Sequence, residues 1–489
     1  MDNTITVNAN SKEIIKDVLF QASLDGTMEN GDKILGVTAE SIVVGCESLN
    51  GELRVNVRTI FKIVKQNSEG IYLSEKIDSE SMHTITNDDI VPTTKCCLRA
   101  HVTDCSYSVG SSVKCKATVE ISGWFICEKT LEFFDSCFNG VYCKTCSVNV
   151  ENVVALNESK LNLSFTDEMR MPIAQIIDYS AYISIGTVYP ASGNYRLDGD
   201  VTLRLTAITD NGQFITQSFS HPFNADETDE RITSDMRIDV DGIITGLNFT
   251  VTESDKRIVV SDINLRLCGV GLEENEVQSV CDVYSTTHET EIISNIAEVN
   301  TNFCLRSVRE KASVTEDVGN ITEVLAVLTP EITVTGTRNS DGIKTEGIIQ
   351  TTVIYVDGEN VLSRGAEIPF VSIIGADFPC ESIFVPEVTV TAISARPRGG
   401  AEIEITVELL VMVRGTQNKE INIISGITIG EEKEDEDFAV CLYIVKPDET
   451  LWEVAKALNT DEETLTKQNE DLILPLKGGE KIILYKALE

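Results

Sequence analysis

The sequence predicts a mainly β chain: three tandem sandwich-like repeats of about 145 residues, followed by a small βααβ module. Three observations lead there. Residues Cys115 to Ser122 alternate apolar and polar side chains, and adding 144 twice lands on Val259 to Arg266 and Ile403 to Leu410, which alternate the same way. Period two means a strand with one buried face. Turn residues recur in step: Gly70, Gly212 and Gly358 are separated by 212 − 70 = 142 and 358 − 212 = 146 positions. The last fifty or so residues change period, with Leu451, Val454, Ala455 and Leu458 at helical spacing.

Two hairpins are expected in each repeat. One turns at Asn67 to Gly70, Asp210 to Gly212 and Asp357 to Glu359. The other turns at Gly110 to Ser112, Ser254 to Lys256 and Arg398 to Gly400. These Asn, Asp, Ser and Gly clusters supply the conformations that tight turns need. The expected units are residues 1–150, 151–300 and 301–430, then an acidic, self-repelling linker at 431–437 and a module at 438–489. Between repeats, Thr130 to Phe138 and Glu276 to Tyr284 read as short helices or extra strands.

Charge excludes some partners. Seventy-eight acidic against 40 basic residues give −38, which disfavours nucleic acid and anionic membrane surfaces. Met1 to Val18 is polar, with Lys12 and Lys16, and predicts no secretory signal peptide. No run of 18 apolar residues predicts membrane insertion. The 14 cysteines are irregularly spaced and read as reduced, small hydrophobes. Cys143 and Cys146 form a CxxC, the weak candidate for a metal site, but no second CxxC or His-x3-His accompanies it. No metal or other cofactor is expected.

The terminal module runs from Tyr443-Ile444-Val445 through Lys446-Pro447-Asp448-Glu449-Thr450-Leu451-Trp452 to Asn469 and the closing strand Lys481 to Tyr485. This order of strand, helix, helix and strand resembles the LysM domain. The resemblance implies a groove with Pro447, Asp448, Glu449, Thr450, Leu451 and Trp452 on one wall. Asn469, Leu472, Leu474 and Leu476 stand on the other. A typical LysM carries Gly-Asp-Thr-Leu where this chain has Asp448-Glu449-Thr450-Leu451. Glycine takes a positive φ at no steric cost; Asp448 tolerates it less well and adds charge beside a groove suited to neutral sugars. The groove therefore reads either a peptidoglycan-type glycan or a protein, and Trp452 is core or groove edge.

Repeats followed by this module resemble the SPOCS-domain, LysM-bearing spore coat morphogenetic proteins of anaerobic spore-formers, the SipL type. That resemblance implies a non-enzymatic, self-associating scaffold in the mother-cell cytoplasm, encasing the forespore at the spore coat. It also implies a protein partner, the sporulation ATPase of the coat basement, engaged through the LysM. The alternatives are a protein that binds cortex or wall peptidoglycan through N-acetylglucosamine, and a cell-wall hydrolase. No Gly-x-Ser-x-Gly, Gly-x4-Gly-Lys-Ser/Thr or His-Glu-x2-His motif supports catalysis.

Overall fold

The computed structural model describes residues 4–134, 140–375, 382–433 and 439–485, with the side chains of 300–306, 382 and 418 left out. The chain is almost entirely β. In the first part, β1 (Thr4–Asn8) leads into β2 (Ser11–Gly26) and a meander of β3 (Lys33–Leu49), β4 (Glu52–Gln66) and β5 (Tyr72–Thr86). A hairpin of β6 (Cys96–Val109) and β7 (Val113–Cys127) follows, then β8 (Thr130–Phe134). The second part contains β9 (Val141–Ala155), β10 (Ser159–Glu168), β11 (Ile173–Ala191), β12 (Asn194–Thr209), β13 (Phe214–Thr228), β14 (Arg237–Val251) and β15 (Ile258–Ser285). The third contains β16 (His288–Asp317), β17 (Glu323–Val327), β18 (Glu331–Asn339), β19 (Gly342–Asp357), β20 (Asn360–Ile374), β21 (Ser382–Arg398) and β22 (Glu402–Glu432).

The sheet orders are β2-β7-β6 and β3-β4-β5, then β10-β15-β14 and β11-β12-β13, then β16-β22-β21 and β18-β19-β20 with β17 beside β19. Each pair of sheets encloses an apolar core because alternate residues of the central strands face inward. Phe61 and Ile63 of β4 meet Val113, Cys115 and Val119 of β7. Leu203 of β12 meets Ile263 and Leu265 of β15, and Ile349 of β19 meets Ile405 and Val407 of β22. The six expected hairpin turns connect β4–β5, β6–β7, β12–β13, β14–β15, β19–β20 and β21–β22.

Three two-stranded ribbons, one short and two long, extend from the sandwiches. β1 pairs with β8, β9 with the second half of β15, and the first half of β16 with the second half of β22. An isolated two-stranded ribbon is marginal in water. Here the three bury Leu131, Phe133, Val150, Val277, Val299 and Ile423 against one another. Residues 276–284 are thus strand, as are 130–134; residues 135–138 lie outside the described residues. The expected cut points at 150 and 300 fall inside β9 and β16. Within the expected linker, Glu431 and Glu432 belong to β22 and Lys433 bonds to Ser285 and Thr287, while 434–437 lie outside the described residues.

The sandwiches also close on each other. Asp241 of β14 accepts from Trp124 Nε1 at 2.7 Å and pairs with Arg99 at 2.9 Å and Arg414 at 2.6 Å. Asp178 of β11 pairs with Lys62 at 3.0 Å and accepts from Thr329 of the third part at 2.6 Å and 2.8 Å. Both aspartates belong to the second sandwich, and each touches the other two. A buried carboxylate is tolerated only when such partners replace its water. Leu35, Val64, Ile177, Ile208, Ala326, Leu328 and Ile354 fill the junction around Asp178.

Candidate functional site

The terminal module consists of β23 (Val440–Ile444), α1 (Leu451–Ala457), α2 (Glu462–Gln468) and β24 (Lys481–Tyr485), with β23 and β24 antiparallel. Thr450 caps α1 in a capping box with Glu453, and Asp461 caps α2 through the Thr464 amide. Asp448 sits at φ 63, the left-handed conformation that the usual glycine would take without strain. Glu449 is not a free charge at the mouth. Its carboxylate accepts from the Lys446 amide at 2.8 Å and from the Tyr443 hydroxyl at 2.7 Å, and the amide bond above all holds it below the usual carboxylate range.

The groove residues divide into two sets. Pro447, Asp448, Thr450 and Leu474 are exposed, and Glu449, Leu472 and Leu476 are half-buried. A Cβ on Gly478 would lie 2.9 Å from Pro447 Cα, so the two loops converge there. Leu451, Trp452 and Asn469, expected on the walls, are structural instead. Leu451 and Trp452 are buried with Val454, Leu465 and Ile482. The Asn469 amide donates to Leu465 O and Ile483 O and accepts from Ile483 N, tying α2 to β24. The reason is geometric: α1 begins at Leu451, so its first apolar residues turn toward the helix pair.

Trp452 is held by the second ribbon. Its indole donates to Asp282 at 2.7 Å, Lys456 pairs with the same carboxylate at 2.6 Å, and the Tyr284 ring meets the indole edge-on at 4.8 Å. Tyr284 also donates to Thr460 O, and Asn459 to Thr286 O. Burial opposes ionisation of Asp282, but the bonds from Lys456 and Trp452 prevail and hold it below its ordinary value. The module is thus docked through α1 and the turn after it.

An apolar surface that the sequence reading missed lies elsewhere on the module. Val440, Leu442 and Ile444 of β23 and Tyr485 of β24 are all exposed, as is Ile473 beside Leu474. The signal was available. Val440 to Ile444 is apolar at five consecutive positions, whereas a strand with one covered face needs only alternate ones.

Cys143 and Cys146 do not converge. Three positions apart on β9, they point to opposite faces. Cys143 packs beside Val283 and Phe134 and is disulfide-bonded, while Cys146 is a free thiol facing Cys281. The described cysteines are therefore not uniformly reduced, and the CxxC is not a metal site.

No helix among the described residues is long and apolar enough to cross a membrane. No curated protein and no solved structure matches the chain. Residues 443–475 match the LysM domain, the family to which this terminal module belongs.

Proposed function

We propose that the chain is a non-enzymatic scaffold of the SPOCS–LysM spore coat type, acting in the mother-cell cytoplasm at the forespore surface. Its LysM serves as an address for a protein, the sporulation ATPase of the coat basement. The observation that carries this reading is the uncovered aliphatic surface of the module. Val440, Leu442 and Ile444, on one face of β23, are 56%, 57% and 60% exposed. Apolar surface presented side by side marks protein interfaces. The body, with its two buried aspartates bridging the sandwiches and its three packed ribbons, supports a scaffold role.

A second reading is favoured by the LysM match itself, which points to a peptidoglycan-type glycan in the groove between Pro447 and Leu474. One experiment separates the two. Titration calorimetry of the full chain against the purified ATPase, and separately against peptidoglycan and chitin oligomers, reads both affinities. The scaffold reading expects binding to the ATPase that Leu442→Ser and Ile444→Ser weaken by about 2 kcal/mol or more. Tight glycan binding without affinity for the ATPase overturns it.

A further inference from the structure

Cys46 and Cys96 lie with their sulfurs 3.3 Å apart, bridging the two sheets of the first sandwich from β3 to β6. A disulfide requires only about 1 Å of further approach. We propose that these two thiols are a peroxide-reactive pair, with Cys46 as the attacking sulfur and Cys96 as the resolving one, and that oxidation staples the sheets together.

The surroundings fit those roles. The hydrogen bond from Cys96 lowers the Cys46 pKa and, with burial, raises that of Cys96. Arg266 of β15 reaches in from the second sandwich, donating through Nη2 to Leu98 O at 2.8 Å. Its buried Nε has no hydrogen-bond partner among the described residues, and its charge favours ionisation of the thiol pair. A half-buried, acidified thiol beside a second thiol and a cation is the arrangement that peroxide-sensing cysteines share.

Strand geometry directs the pairing. Cys97, the next residue on β6, faces the opposite way, into the cluster of Trp124, Val270 and Cys268 at the boundary with the second sandwich. Adjacent Cys96 and Cys97 therefore do not compete for each other. Cys127 is the rival, since it packs on the same apolar cluster as Cys46 and Cys96.

The chemistry balances with hydrogen peroxide as oxidant. The Cys46 thiolate attacks one peroxide oxygen and the O–O bond breaks. A sulfenic acid forms, and the departing hydroxide takes a proton to become water. The Cys96 sulfur gives up its proton and attacks the Cys46 sulfur; the S–S bond forms, the S–O bond breaks, and the hydroxyl leaves with that proton as a second water. Two thiols are oxidised to a disulfide, and one peroxide is reduced to two waters.

The test uses the full chain, reduced and then treated with one equivalent of hydrogen peroxide. Peptide mapping without reductant should recover residues 46 and 96 in one cross-linked pair, with reductant abolishing it. In Cys96→Ser the Cys46 sulfenic acid should persist and be trapped by a cyclic 1,3-dione, and exposed Cys281 should label about tenfold more slowly. A link from Cys96 to Cys127 would overturn the proposal, as would Cys46 left reduced after other thiols have reacted. Should Cys96→Ser fail to fold, the wild-type peptide map decides alone.

Discussion

Asp282 of the second ribbon holds both ends of one short helix: its carboxylate takes the Trp452 indole at 2.7 Å and the Lys456 ammonium at 2.6 Å. The two donors stand four residues apart and so share a face of α1. This contact fixes the module against the body, and it leaves the outer face of β23 uncovered.

Asp282→Ala should undock the module without unfolding it. The site is partly solvated, so the loss is roughly 1–1.5 kcal/mol. Cleavage between β22 and β23 in limited proteolysis should quicken by about tenfold. The thermal midpoint of the body should stay unchanged.

Asp241→Asn should destabilise the junction of the three sandwiches by about 1–3 kcal/mol, because it removes the charge that Arg99 and Arg414 share and leaves them Glu387, at 3.0 Å and 3.8 Å. Denaturant unfolding at pH 7 measures this. Burial works against the Asp241 charge, but Arg414, Lys12 and Arg99 outweigh it and hold the pKa well below the usual range. A depressed carboxylate stabilises above its unfolded value, and that contribution disappears as pH falls through the folded one. Wild-type stability should therefore drop below about pH 4, and the variant should show a shallower acid limb.

Glu331 on β18 behaves oppositely. Burial raises its pKa from 4.5 to about 8, and its Oε1 has no hydrogen-bond partner among the described residues. Its stabilising contribution is complete below the unfolded value and is lost as pH rises through about 8. Melting at pH 6 and pH 9 should show wild type weakening on the alkaline side. Glu331→Gln should weaken less.

Gly123→Ala should disrupt the first sandwich. The residue has φ 147, and an added Cβ would lie 2.0 Å from Cys97 O across the β6–β7 ladder. Strain and overpacking together cost about 3 kcal/mol or more. Near-ultraviolet circular dichroism and the denaturant midpoint would both register the loss.

Much of this architecture was legible locally. Gly70, Gly212 and Gly358 marked hairpins because turn chemistry is written in neighbouring residues, and Leu451, Val454 and Leu458 marked a helix through their spacing. Closure of the sandwiches was not legible. Asp178 and Asp241 are two of 78 acidic residues, and only partners more than a hundred positions away distinguish them from surface charge. The same holds at the module. Local sequence does not decide between core and groove for Trp452, because its partner Asp282 lies 170 residues earlier. Asn469 carried no local sign that its amide would bind β24.

The ribbon of β16 and β22 pairs antiparallel from His288–Glu432 to Asp317–Glu402, with three shifts of register along the way. Once the module's contact with Asp282 of β15 has opened, a pull on the module acts on β22 at its outer end, while β16 enters the third sandwich at the inner end. The load is therefore shear along the ladder, in which many backbone hydrogen bonds resist at once instead of opening one after another. A body tethered by its LysM at one pole would carry tension along this strap.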